Sequence, residues 1–338
     1  MAKLIQSGLL PALAAALALF AAAFPAQGAR VEGLYQAEVE QTGSRDEAFR
    51  AALGQVLVRM TGRRDAPGRA ELGPLLANAA SYAQQFSQPA QNRLWVAFDG
   101  VALERELGRL GQPVWGAERP STLLWIAVDA GGGKRFVVAS DAEFEEEAAI
   151  HAEVFGAAAT RGIPVVFPLM DAEDRARASF AEVWGGFEDS IREASERYGV
   201  DAVLVGRLAA EDMGRGRWTL YGADGVERWS GAVADSIGRV ADRFAARFAV
   251  VSSGETRTVQ LSVAGVGSIE DYGRVSRFLA GLTAVQALDV ETVEGDEVVF
   301  RVSMRGEPAT LDEAVRLGGV LRPDGEHGSA RLSYRVAR

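Results

Sequence analysis

Asp129, Asp171 and Arg207 are the residues whose types and positions could do chemistry together. Each aspartate comes just after an apolar run, Leu123 to Val128 and Val165 to Phe167, and Arg207 closes the run Val203 to Val205. Uninterrupted apolar runs suit strands covered on both faces. In open α/β sheets, ligands gather beyond the carboxyl ends of the strands. If the three strands are parallel, two carboxylates and a guanidinium share one edge. Such a set could orient a small polar ligand, and two carboxyls roughly 5–10 Å apart could hydrolyse an envelope polymer. The plainer alternative is that the aspartates cap helices or turns and that Arg207 pairs with them.

Other chemical signals are weak. The two histidines, His151 and His327, and the absence of cysteine do not make a structural zinc set. Neither histidine stands in a recognisable Ser-His-Asp setting, and no Gly-x-Ser-x-Gly elbow is present. Gly131-Gly-Gly-Lys-Arg135 lacks the Ser/Thr and the following helix of a phosphate loop. Gly265-Val266-Gly267 is followed by Glu270 where a dinucleotide fingerprint needs its third glycine. No catalytic residue, metal ligand or cofactor is therefore expected. Trp115, Trp125, Trp184, Trp218 and Trp229 are spread as packing residues are.

The element that must position the candidate residues is Ile163 to Leu208. Two apolar runs flank Phe180, Val183, Trp184, Phe187, Ile191, Ala194 and Tyr198, spaced as one helix face. Strand, helix, strand predicts a crossover and a parallel pair within one sheet. Gly185 and Gly186 interrupt the helical stripe, and each costs about 1 kcal/mol relative to alanine. The helix is expected to kink or restart there, with Trp184 packed on the sheet.

Around this element the chain divides into modules. Residues 30–117 read as an α+β module. It has alternating strands at Tyr35–Val39 and Leu94–Phe98, a capping box Ser44-Arg-Asp-Glu47, a second helix from about Pro74 presenting Tyr82 and Phe86, and a helix capped by Asp99. Trp115 to Pro120 reads as a linker. Residues 121–252 read as an α/β domain with a mixed sheet. It includes a hairpin at Ala223-Asp224-Gly225 and a capping box at Ser140-Asp-Ala-Glu143. Residues 256–338 give the order βαββαβ, a ferredoxin-like pattern, with caps expected at Ser268 and Thr310. The fold class expected is thus multidomain, α/β and α+β.

Composition bounds the partners. A formal net charge of −10 argues against generic nucleic-acid binding, which needs a basic footprint. Residues 1–28 have the layout of a signal peptide: Lys3, the apolar run Leu9 to Phe24, and small residues before a cut after Gly28. An uncleaved inner-membrane anchor is the alternative. No cysteine follows the run, so no lipid attachment is expected, and no other stretch reaches membrane-spanning length. A chain without cysteine has no disulfides, and its cores must suffice.

Several segments together resemble a known family. They are Val56-Leu-Val-Arg-Met-Thr-Gly62, Trp115-Gly-x-x-Arg-Pro-x-x-Leu-Leu-Trp125, Gly162-Ile-Pro-Val-Val-Phe-Pro-Leu169, Val183-Trp-Gly-Gly186 and Tyr198-Gly-Val-Asp-Ala-Val-Leu-Val-Gly-Arg207. In combination they resemble the bacterial exported proteins grouped as domain of unknown function 2066. The resemblance implies a cell-envelope protein and supplies no activity and no catalytic residues. The middle domain is also similar, at the level of fold, to α/β domains of envelope assembly factors, and fold does not fix function. The expectation is an exported, periplasmic, non-enzymatic interaction or assembly factor with envelope protein partners. A periplasmic small-ligand-binding protein is the alternative, and a carboxylate-dependent hydrolase of envelope polymers is the third. Oligomeric state, partner and pathway stay open.

Overall fold

The computed structural model describes residues 29–142, 144–210, 214–223, 225–251, 256–325 and 331–337. The expected signal segment, Glu143, the turn residue Asp224 and His327 lie outside the described residues. No helix among the described residues is long and apolar enough to cross a membrane. The chain is a multidomain protein of the α/β and α+β classes.

The N-terminal module follows a short strand β1 (Ala29–Arg30) and contains β2 (Gln36–Glu40), α1 (Arg45–Thr61), α2 (Gly73–Ala77), β3 (Ala83–Ser87), β4 (Arg93–Phe98) and α3 (Gly100–Arg109). The expected Ser44 box starts α1: Ser44 accepts from the Glu47 amide, and Glu47 accepts from the Ser44 amide at 2.8 Å. Asp99 caps α3 by accepting from Ala102 N. The helix expected from Pro74 is only five residues long. Beyond it the chain makes a 3-10 turn and then β3, which pairs with β4 and leaves Phe86 exposed. Apolar spacing alone did not separate a helix from a turn leading into an edge strand.

The stretch expected to be a linker is a buried hub. Strand β5 (Pro113–Val114) pairs with β13 (Val250–Val251), and β6 (Glu118–Arg119) pairs with β1. Trp115 is 1% exposed and belongs to the core of the middle domain. Arg119 is 0% exposed, lies 4.0 Å over the Trp115 ring, and donates to the carbonyls of Arg59, Trp115, Gly116, Arg161 and Gly162. Those acceptors include the C-terminal turn of α1 and the end of α4 (Glu145–Arg161), where helical carbonyls lack intrahelical partners and the dipole is negative. Burial pushes the Arg119 guanidinium down to about 9, with Arg59 adding to the push, so it is cationic at neutral pH. Buried Arg161 returns the arrangement by donating to Gly62 O, Gly238 O and Asp242. Gly62, at φ +69°, ends α1 where a Cβ would stand 2.2 Å from that of Ala245.

The middle sheet has the order β12-β11-β10-β7-β8, with β9 sharing the β8 side of β7. Its strands are β7 (Thr122–Asp129), β8 (Arg135–Val137), β9 (Val165–Val166), β10 (Ala202–Ala209), β11 (Gly216–Gly222) and β12 (Gly225–Gly231). Both β9 and β10 run parallel to β7, one on each side of it. The crossover therefore joins parallel strands of one sheet, as expected, but they are not neighbours. All of β7 except Asp129 is buried, as its uninterrupted apolar run requires. α4 begins at Glu145, later than the sequence box implied, and Glu147 accepts from the Phe144 amide. The long helical stripe is three pieces, α5 (Ala172–Arg177), α6 (Phe180–Gly185) and α7 (Glu188–Ser195). Gly186, at φ +70°, makes the break between the last two, and it leaves Phe187 60% exposed. α8 (Val233–Phe248) closes the domain on the opposite face.

The C-terminal module contains β14 (Thr256–Ala264), α9 (Ile269–Ala280), β15 (Val285–Glu294), β16 (Glu297–Arg305), α10 (Pro308–Leu317), β17 (Leu321–Pro323) and β18 (Arg331–Val336), with sheet order β15-β16-β14-β18-β17. The first five elements follow the expected βαββα order. The short β17 then intervenes, so β18 enters from a hairpin and runs parallel to β14. A strand arriving directly from α10 would have run the other way. Ser268 caps α9 as expected, by accepting from Asp271 N. Thr310 does not cap α10, which begins with Pro308 after Glu307.

Candidate functional site

The structure places Asp129, Asp171 and Arg207 in separate local bonds. Asp129 ends β7, accepts from Gly131 N at 3.1 Å and pairs with Arg135 at 2.8 Å. These contacts hold its carboxyl below the usual range, the Gly131 amide first. Asp171 caps α5 by accepting from Glu173 N and Asp174 N, and Arg197 donates to both its oxygens at 2.9 and 3.0 Å. Arg197 lowers the Asp171 pKa to about 2. Arg207 donates to Trp184 O at 3.2 Å and pairs with neither aspartate.

Helix α6 occupies the ground between Asp129 and Arg207. Arg135, bonded to Asp129, lies 5.8 Å over Phe180; Phe180 stacks on Trp184 at 5.4 Å; and the Trp184 carbonyl accepts from Arg207. Trp184 is thus packed, as its place on the stripe implied, although only partly buried. The strand edge expected to hold a ligand is filled by two aromatic rings.

Beside it lies a residue the sequence did not single out. Asp174 is 0% exposed and accepts from Met170 N, from Tyr198 Oη and from Arg197. Burial and then the bond to Asp174 raise the Tyr198 pKa. The Asp-x-x-Asp spacing of Asp171 and Asp174 was the available signal. The group locks the turn from β9 into α5, where Met170 adopts φ 50°, and its polar groups are satisfied. His151 meets Ala139 O at 2.7 Å and stacks on Phe167, a packed position on α4. Among the described residues no three His, Asp or Glu side chains are grouped to hold a metal.

Open space lies instead at the other end of the sheet. A cavity of about 330 Å³ sits between the β11–β12 hairpin, α8 and α10. Leu220, Val226, Phe244, Phe248 and Leu317 give it apolar walls, and Asp201, Glu227, Arg243, Arg247, Glu313 and Arg316 give it charge of both signs. Arg247 bridges the two modules by donating to Glu313 at 2.7 Å. Asp201 precedes β10 and accepts from Ser121 N at 2.7 Å and Ser121 Oγ at 3.0 Å; burial nevertheless raises its pKa. The sequence does not single out Asp201, because it sits before a strand, where the strand-end rule does not point. The cavity also needs α10, more than sixty residues further along the chain than the hairpin.

The comparisons with known proteins concern the N-terminal module. A family model described as Domain of unknown function (DUF8605) matches residues 28–116, about a quarter of the chain. This corrects the resemblance read from the sequence: the match is to a different family of unknown function, and domain of unknown function 2066 is not supported. The motifs behind that reading have structural reasons of their own: Trp115 stacks on Arg119, Gly186 breaks a helix, and Tyr198 bonds Asp174. No curated protein matches the chain.

Proposed function

We propose that this chain is a non-enzymatic protein of the cell envelope, exported to the periplasm, that binds a partner segment between its middle and C-terminal modules. The observation that carries the reading is the inter-module cavity, with its apolar walls and rim of both charge signs. Its volume falls in the range of ligand sites, and it suits one or two apolar side chains flanked by charged ones. The filled strand edge at Asp129 and Arg207 supports it as well, because α6 covers that edge and Asp129 is already paired with Arg135. Export rests on the layout of residues 1–28.

A photo-crosslinking residue at Ala223, on the cavity lining, tests the proposal in cells. A discrete partner is expected, lost when Arg316→Glu reverses one rim charge. Silence at Ala223, or the same capture from Val293 on the far strand β15, would overturn it. If a small molecule raises the melting temperature and blocks crosslinking, the cavity serves a small ligand instead.

A further inference from the structure

The middle sheet is covered unequally on its two faces. On one, α8 packs over Trp218, Leu220 and Trp229. On the other, α6 packs on β7, β8 and β10, and the outer strands present Arg217, Val226, Arg228 and Ser230 to solvent. Arg217 stands directly opposite Arg207 in the β10–β11 register, and Arg228 stands opposite Thr219, one position diagonal from Arg217. The three arginines therefore share one face of three consecutive strands.

We propose that this face is an oxyanion site in which Arg207, Arg217 and Arg228 hold a phosphoryl group. Neighbouring strands lie about 4.8 Å apart, so guanidinium groups from three of them can converge on one tetrahedral anion. Like charges directly opposite each other destabilise a strand pair, yet none of the three has a carboxylate within 4.0 Å among the described residues. The chain carries a net charge of −10, so the cluster is not a by-product of a basic composition. Among the described residues, Arg207 Nε is buried with no hydrogen-bond partner, so this guanidinium is not saturated by its bond to Trp184 O. Glu188 on α7, the acidic group facing Tyr221 from the covering helix, is paired with Arg192 at 3.5 Å. Arginine forks match phosphate and carboxylate alike. A carboxylate offers one charge and two oxygens, whereas a phosphoryl group offers three oxygens and about −1.5 to −2 charge, closer to three guanidinium groups. The Arg207 pKa is lowered by burial first and then by Arg217 and Arg228, the repulsion an anion would relieve.

The inference goes beyond the inter-module reading, since none of the three arginines lines that cavity. It is tested on the full chain by thermal unfolding in inorganic phosphate, with sodium chloride holding ionic strength constant. The melting temperature is expected to rise with phosphate, and the rise to vanish in Arg217→Gln/Arg228→Gln. Both positions are exposed, and that variant's own melting temperature without phosphate checks that it folds. Flotation with vesicles, with and without phosphatidylglycerol, separates the sources of the group. A phosphate response without flotation assigns a soluble phosphorylated ligand. Flotation that needs phosphatidylglycerol and is lost in the variant assigns a lipid headgroup. If neither probe acts, or if both act equally on the variant, the proposal fails.

Discussion

Where the N-terminal module meets the middle domain, two buried arginines donate to main-chain carbonyls at the ends of α1 and α4. Where the middle domain meets the C-terminal module, the charged bridge is Arg247 to Glu313, both side chains more than a quarter exposed, beside a cavity of about 330 Å³. The first junction holds its two buried arginines in a net of main-chain bonds, so its parts cannot separate without stranding those donors and acceptors. The second keeps charged side chains around an open volume. Open space lies at both joints, about 610 Å³ beside Arg64 and Asp242 at the first and about 330 Å³ at the second, but only the second has large apolar walls, from Leu220, Phe244, Phe248 and Leu317, which is why the proposed binding site is assigned to that joint.

The largest expected effect comes from Arg119→Met, which keeps apolar bulk beside Trp115 and removes the donors to five carbonyls. Losing one partner of a buried charged network costs about 3–5 kcal/mol. Chemical denaturation should show that loss, with the N-terminal module unfolding ahead of the rest. A change below about 1 kcal/mol would mean that the first junction is no tighter than the second. Arg247→Ala is the matched test at the second junction. Its partly solvated ion pair should be worth less than about 1 kcal/mol, and a loss as large as that of Arg119→Met would erase the contrast.

The smallest effect is a pH dependence at the cavity. The folded-state pKa of Asp201 is raised by burial, so the folded chain holds the proton more tightly than the unfolded chain does. Its contribution to stability is therefore fully present below the unfolded value of about 3.9 and is lost as pH rises through the raised folded pKa. Asp201→Asn should remove that part of the pH profile, compared by denaturation between about pH 4 and 7. Asp171 acts in the opposite sense. Its depressed pKa, near 2, gives stability present above about 3.9 and lost as pH falls toward 2. A wild-type profile identical to that of Asp201→Asn would show that the Asp201 side of the cavity is open to bulk water.

Local pattern carried far in this chain. The Ser44 box, the Asp99 and Ser268 caps, the helix break at Gly185–Gly186, the buried run of β7 and the hairpin that pairs Trp218 with Trp229 were legible because each depends on residues within a few positions. The strand β3, the late start of α4 and the insertion of β17 were not legible, because pairing partners decided them. Of the candidate site, the sequence identified Asp129, Asp171 and Arg207 as residues near strand ends. It could not tell that α6 would lie between two of them.

What the sequence determined by itself is the acidic charge, the absence of cysteine, and the periodicities that make strands and helices amphipathic or fully buried. Those are properties of composition and of neighbours along the chain. Tertiary structure alone decided that Arg119 would be spent on helix ends, that Arg207, Arg217 and Arg228 would share one face, and that Asp201 would border a cavity with α10. The physical reason is the same in each case. A charged side chain's role is set by what lies within a few ångströms of it, and here those neighbours come from elements far apart in the chain.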